Sequence, residues 1–367
     1  MQFCQLVYNI ADFLWHSVIL QFPKRRLYNK HYYKNKMRKQ KFEQLVTVFG
    51  GGGYIGSLLT RLLLDQGYGV RVFDNFLFGD DGVKDLKHSN LEIINGDVGN
   101  VYQVTSALKN TNIVIFLSEL SGKRFEHQTK NDSLFRDSNY IAPSMVLYAS
   151  KEYGAERFIY ASSDCVYGGM TGLVYETAIP EPVSLYARLK LRMEESVIRA
   201  KSRIFHPTIL RIANCFGYSP RMRFDLLPNT VLRDAIYRKQ VSIDSENTCR
   251  AFVHVDDVSR AIATCVRAHV NLVSGEIFNV GANNQNLTRR MVVNAVKKIH
   301  NDFEVKIIKQ QPDLYDYKLS CKKIEKLLDF TPTWTIEEGL ADLKQHLTSG
   351  DIKDPYNDKY HNLPPLS

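Results

Sequence analysis

Apolar and polar positions follow two rhythms along this chain. Residues 45 to 49, LVTVF, form a short apolar run; residues 54 to 67, YIGSLLTRLLLDQG, repeat apolar side chains every three or four positions; residues 70 to 74, VRVFD, form a short run again. The short runs predict strands and the 3.6-residue rhythm predicts a helix, so together they predict a βαβ unit. Strand-like runs recur at 91 to 95 (LEIIN), 112 to 117 (NIVIFL), 157 to 162 (RFIYAS), 208 to 212 (TILRI) and 276 to 280 (EIFNV), mostly separated by helical patterns. That alternation predicts an α/β fold with a doubly wound parallel sheet and helices on both faces.

Composition narrows the class. With 367 residues, 44% of them hydrophobic, the chain can bury a sizeable core in one large domain or two closely joined ones. The net charge of +9 suggests nucleic acid or membrane until it is located. Residues 24 to 41, KRRLYNKHYYKNKMRKQK, hold nine Lys or Arg and no acid, leaving 39 basic against 38 acidic side chains in residues 42 to 367. The body is thus nearly neutral, and no nucleic-acid partner is inferred for it. Six cysteines without CxxC spacing fit reduced thiols in a cytoplasmic protein. The basic stretch follows FCQLVYNIADFLWHSVILQF (3 to 22), whose Gln5, Asn9, Asp12, His16 and Gln21 argue against a membrane span. Residues 1–41 read either as an amphipathic helix on a membrane beside a lipid-attracting basic stretch, or as an extension of the body. A signal peptide is disfavoured, because the basic residues follow the apolar run.

The stretch FGGGGYIGS (49 to 57) raises the first question of chemistry. Gly50, Gly53 and Gly56 form GxxGxxG between a predicted strand and helix, where a tight turn, a close backbone approach and close helix packing each exclude a Cβ. The turn, with Tyr54 and Ile55, would bring a pyrophosphate to free N–H groups at the positive end of the helix dipole. Asp74 ends the next strand 24 residues after Gly50, followed by Asn75. A carboxylate there accepts from both hydroxyls of an adenosine ribose and repels a 2′-phosphate, which favours NAD over NADP.

A second constellation supplies reactive groups. In YARLK (186 to 190), Tyr186 and Lys190 lie one helical turn apart, so the ammonium can favour phenolate and make the tyrosine a usable general base. Taken alone, such a pair is more often a solvated helix face; beside a dinucleotide site it reads as catalytic. Upstream, YASSDCVYG (160 to 168) follows a predicted strand and offers Ser163 to the same substrate oxygen. No His, Cys or Asp spacing suggests a metal.

GGGGYIG, Asp74, NGDV (95 to 98), ASSDCVYG, YARLK and RAFVHVDDV (250 to 258) together resemble the extended short-chain dehydrogenase/reductases, in the NAD-dependent nucleotide-sugar epimerase/dehydratase branch, from about residue 45 to about 348. The resemblance implies a Rossmann-like domain holding NAD, with a smaller C-terminal domain closing over a nucleoside-diphosphate sugar. It places Asp97 and Val98 by the adenine, Leu117 and Ser118 along the cofactor cleft, and Ser163, Tyr186 and Lys190 in the catalytic triad. It also implies diphosphate contacts at Asn214 and Arg250, which suit an amide donor and a fork-shaped cation. Arg221 and Arg223 read either as phosphate or carboxylate partners or as surface arginines. His254 reads as a packed, hydrogen-bonded histidine.

The reaction implied is 4-epimerisation through a transient 4-keto sugar, most like UDP-glucose 4-epimerase. The alternatives are a 4,6-dehydratase, a ketosugar reductase, or a non-catalytic NAD-binding scaffold. Dehydratases of this family carry two acids after the catalytic Ser or Thr; here Asp164 matches the first and Cys165 replaces the second, and a thiol substitutes poorly for a carboxylate. Three other departures are Phe49 in place of Thr before the glycines, FLSEL (116 to 120) in place of a His-Leu-Ala-Ala stretch, and Tyr315 in place of a phosphate-binding Arg. The expected division is an arm at 1–41, an NAD-binding domain at 42–215 to which the strand near 276–280 returns, a mainly substrate-binding domain at 216–350, and a flexible tail at 351–367. Resemblance also implies a homodimer.

Overall fold

The structure is a computed structural model and describes residues 42–121, 132–308 and 315–362. The N-terminal arm read as membrane-binding, and the last five residues, lie outside the described residues.

Seven strands form one parallel sheet. In chain order they are β1 (Leu45–Phe49), β2 (Gly69–Asp74), β3 (Leu91–Asn95), β4 (Ile113–Phe116), β5 (Arg157–Ser163), β6 (His206–Ile212) and β7 (Glu276–Val280). Their spatial order is β7-β6-β5-β4-β1-β2-β3, so the chain starts in the middle, winds to one edge, then crosses back past β1. Every ladder is parallel. All five residues of β1 are buried, as a strand covered on both faces requires, which is why it reads as an uninterrupted apolar run. The order reverses between β1 and β4, and open α/β sheets bind ligands in the crevice at such a point.

Three helices frame that crevice: α1 (Tyr54–Asp65), α2 (Leu185–Ala200) and α3 (Val255–Arg267). The stripe Leu59, Leu63 and Leu64 of α1 joins β1 and β2 in one apolar cluster that continues to Val258, Ile262 and Val266 of α3. Met193, Val197 and Ala200 of α2 pack on the opposite side, with Val114, Phe116 and Phe158. A third cluster, around Phe216, Phe252, Leu340 and Leu343, forms the core of the C-terminal part. There a small sheet orders Asn286–Thr288, Cys249–His254 and Asn214–Phe216.

His254 is a packed core residue, as its sequence context predicts. It is buried, its ring stacks on Trp334 at 4.3 Å, and its Nδ1 accepts the Asp256 N–H at 3.3 Å. Burial pushes it down to about 4, so it is neutral in the core. Residues 351–362, read from composition as part of a flexible tail, instead pack on the body. Ile352 and Tyr360 are buried anchors, the Phe224 N–H donates to the Tyr360 carbonyl at 2.8 Å, and Lys359 pairs with Asp81 at 2.6 Å.

Candidate active site

At the switch point β1 ends, and the chain turns through four glycines into α1. Gly50 sits at φ +84°, and a Cβ there would lie 2.7 Å from the Ser118 main-chain nitrogen. A Cβ on Gly56 would collide with the Gly50 carbonyl oxygen. No side chain among the described residues caps α1, so its first N–H groups remain available to an anion. Asp74, at the end of β2, accepts the Gly52 N–H at 3.0 Å and the Phe76 N–H at 2.9 Å. Burial nonetheless raises its pKa, against the pull of these bonds and of Arg221. Asn75 accepts from Leu77 at 3.1 Å and Asp97 from Gly99 at 2.7 Å, so both side chains shape turns at the mouth of the cleft.

Tyr54 has a different place from its neighbours in the glycine motif. Its hydroxyl donates to the Gly217 carbonyl at 2.7 Å and accepts from Asn229 at 3.3 Å, deep in the core. Its side chain thus ties the turn to the C-terminal part.

The reactive end lies across the sheet. β5 delivers Ser163, whose Oγ accepts the Cys165 N–H at 3.3 Å and lies 3.5 Å from Asp164 Oδ1. Asp164 is buried, and its Oδ2 has no hydrogen-bond partner among the described residues. Burial raises it to about 6, although Arg250 pulls the other way. α2 starts at Ser184, whose Oγ caps it by accepting the Ala187 N–H at 3.1 Å. One turn apart on the buried face are Tyr186 and Lys190, the ammonium 5.6 Å from the tyrosine ring centre. Lys190 donates to the Ala161 carbonyl at 2.8 Å.

Between them stands Glu119. Its Oε2 lies 2.6 Å from Lys190 Nζ and accepts the Tyr186 hydroxyl at 2.9 Å. The ammonium thus lies near the phenol, as the spacing of four suggests, and a carboxylate is placed against both. A lone acid in the apolar stretch FLSEL was the available signal, and it could not show the partners.

One cavity of ≈ 1290 Å³ runs from the glycine turn to these groups. It is lined by Gly50, Gly53, Ile55, Gly56, Asp74, Asp97, Val98, Leu117 and Ser118 at one end, and by Ser163, Asp164, Tyr186, Asn214 and Arg250 at the other. Lys190 lies behind this wall. Asn214 donates to the Ala251 carbonyl at 3.1 Å, and Arg250 lies over the Tyr315 ring at 4.5 Å. The Tyr315 hydroxyl in turn donates to Ser184 at 2.9 Å, linking Arg250 to the cap of α2. Arg221 is buried on the same wall, its Nη2 unpartnered among the described residues; burial and the neighbouring Arg223 push it down to about 10. Arg223 forks onto Asp225 at 3.0 and 2.5 Å.

Arg221 on the cavity wall and the uncapped start of α1 on the same cavity describe a site for an anionic ligand. Residues 46–281 match the profile of the NAD dependent epimerase/dehydratase family. The chain belongs to that family. Among curated proteins, an uncharacterized UDP-glucose epimerase, YtcB of Bacillus subtilis, is 25% identical over 83% of this chain and 98% of its own length. A UDP-glucuronic acid 4-epimerase from Bacillus cereus, solved with UDP-glucuronic acid and NAD, superposes with a TM-score of 0.75 at 24% identity, covering 82% of this chain and 99% of that one. A dTDP-glucose 4,6-dehydratase from Streptomyces venezuelae superposes equally well, at 22% identity over 84% and 98% of the two chains. The glycine cradle and the anion-binding wall fit the family's NAD. Among the described residues, no group of three or more His, Cys, Asp or Glu side chains could hold a metal ion, and no helix is long and apolar enough to cross a membrane.

Proposed function

We propose that this chain is an NAD-dependent nucleotide-sugar 4-epimerase acting through a transient 4-keto sugar. The observation that carries the reading is one continuous ≈ 1290 Å³ cavity with the glycine turn at one end and Ser163 with Tyr186 at the other. Pockets for one drug-sized ligand hold about 300–1,000 Å³, so this volume suits a dinucleotide and a sugar nucleotide together. NAD, when bound, supplies a hydride acceptor that also gives the hydride back, which leaves the sugar at its starting oxidation state. Tyr54, Ile55 and Gly56 would offer it main-chain N–H groups at the start of α1, Gly50 and Gly53 would leave room for its close approach, and Asp74 and Asn75, with Asp97, Val98, Leu117 and Ser118, would bound its adenosine and the cleft beyond. Ser163 orients the sugar hydroxyl and later the ketone. Tyr186 moves the proton at that oxygen, Lys190 sets its charge environment, and Asn214 and Arg250 hold the diphosphate.

Cys165 beside Asp164 favours epimerisation over elimination of water, which needs a second acid. The test is a product assay by NMR on the full chain with UDP-, GDP- and dTDP-sugars and no added cofactor. Conversion of one sugar to its C4 epimer is expected. A 4-keto-6-deoxy product would assign dehydration and make Asp164 its acid. No conversion with NAD bound would move the reading to a reductase or a scaffold. The division at about residue 215, the homodimer and a peripheral membrane contact through residues 1–41 belong to the same proposal. Light scattering tests the dimer, and vesicle flotation with and without residues 1–41 tests the arm.

A further inference from the structure

The proposed epimerisation has no use for Glu119, yet among the described residues no acid stands closer to its base. Glu119 follows β4 by three residues, on the loop whose Leu117 N–H is held by the Phe49 carbonyl at 2.8 Å. One oxygen of this carboxylate accepts the Tyr186 hydroxyl at 2.9 Å and stands 2.6 Å from Lys190 Nζ. Lys190, 3% exposed, also donates to the Ala161 carbonyl at 2.8 Å, and its ammonium lies over the Tyr160 ring, 4.9 Å from the ring centre. Its contacts thus lie inside the protein, and its nearest charge is negative. A lysine beside a tyrosine favours phenolate only while its charge is uncompensated; a carboxylate sharing the phenol's own proton favours the neutral form.

We propose that Glu119 is a positioning residue that holds Tyr186 as a neutral phenol and so restrains its use as a base at neutral pH. This rests on the assignment of Tyr186 as the base. The electrostatics agree. Burial and then the Glu119 charge hold Tyr186 well above its ordinary range, with Cys165 and Tyr160 adding smaller contributions in the same direction. Burial raises Glu119, but Lys190, the Tyr186 bond and Arg223 outweigh it and keep the carboxylate ionised. Burial works against the charge of Lys190, and Glu119 overcomes it.

The test is a pH titration of the full chain carrying ¹³C-labelled tyrosine, with Tyr186→Phe assigning the Tyr186 signal and no sugar present. Glu119→Ala and the near-isosteric Glu119→Gln are each expected to lower the Tyr186 midpoint by at least about one pH unit, because the carboxylate charge is gone while Lys190 remains. Turnover at pH 7 is expected to rise about tenfold in both, since the fraction of phenolate rises with each unit of lowered midpoint. A midpoint that stays put in both variants overturns the proposal, and so does turnover that falls in both. If no nucleotide sugar is turned over by any form, the epimerase assignment fails, and the midpoint alone decides the role of Glu119.

Discussion

α2 carries two buried ion pairs one turn apart, and their surroundings differ. Glu194 faces the sheet and is 2% exposed; Arg211, from β6, forks onto it through Nε at 3.1 and 3.2 Å and Nη2 at 2.7 Å. The Ser162 hydroxyl donates to the same carboxylate at 2.5 Å, and the guanidinium lies over the Tyr167 ring at 4.8 Å. Lys190 lies one turn earlier on the same face, and its partner Glu119 lines the ligand cavity with a side chain 24% exposed. Both pairs join a carboxylate to a cation, and both tie α2 to β-strand ends. One is walled in by strand, helix and ring; the other borders the space a ligand fills. Burying a charge is costly unless its partner is fixed, so the closed pair serves the architecture, while the pair on the cavity can exchange partners and serve chemistry.

Removing one member from each side separates the two roles. Tyr186→Phe takes the proton-transferring oxygen from the open side, and turnover is expected to fall by about 10²–10⁴-fold, the usual contribution of a positioned acid–base group. Its unfolding midpoint in urea is expected to move little, because Glu119 keeps Lys190. Glu194→Ala acts in the opposite sense. It leaves the Arg211 charge buried without its partner, and about 3–5 kcal/mol of stability is expected to be lost in urea unfolding. Glu119→Ala leaves a cation that cleft water can reach, so its loss is expected to be smaller, about 1–2 kcal/mol. Equal losses at positions 119 and 194 would erase the distinction.

The two pairs also mark where the sequence was readable. Tyr186 and Lys190 stood out because a helix converts a spacing of four into proximity, and the glycine turn because backbone conformation is written locally. Glu194 continues the same stripe at the next turn, so a second charged position on a buried face was visible, though not its partner in β6. Glu119 lies 67 residues from Tyr186, and only the order of β4 beside β5 brings them together. Tyr315 stood out as a departure from the family, but its place under Arg250 depends on the strand Asp316–Leu319 pairing with Thr171–Val174. In the last segment, two apolar anchors, Ile352 and Tyr360, among polar and proline residues carry no period. A composition that suggests a loose tail thus hides a packed one.

Asp164 tests the border between the two regions, since it is as buried as the closed pair yet lines the cavity. Its raised value means that the folded chain holds this proton more tightly than the unfolded chain. Stability from this group is present below the ordinary carboxylate range, and it is lost as pH rises from about 4 to about 6. Asp164→Asn is therefore expected to flatten that part of the stability profile and to stabilise the protein at pH 7 by about 3 kcal/mol, measured as urea unfolding against pH. An unchanged profile would place Asp164 with the satisfied acids of the closed side.

The smallest expected effect concerns a cation stacked on an aromatic ring. Arg250 reaches the cavity from the central strand of the small sheet, and its guanidinium lies over the Tyr315 ring at 4.5 Å. A fork of donors beside an aromatic ring suits a diphosphate, whereas a lysine at the same position offers a point charge that cannot bind two oxygens side by side. Arg250→Lys is expected to raise KM for the sugar nucleotide about tenfold, or about 1.4 kcal/mol, while kcat holds, because the contact is made equally before and during the reaction. A drop in kcat at unchanged KM would instead place Arg250 with Tyr186, on the side of the cavity where charge changes as the sugar reacts.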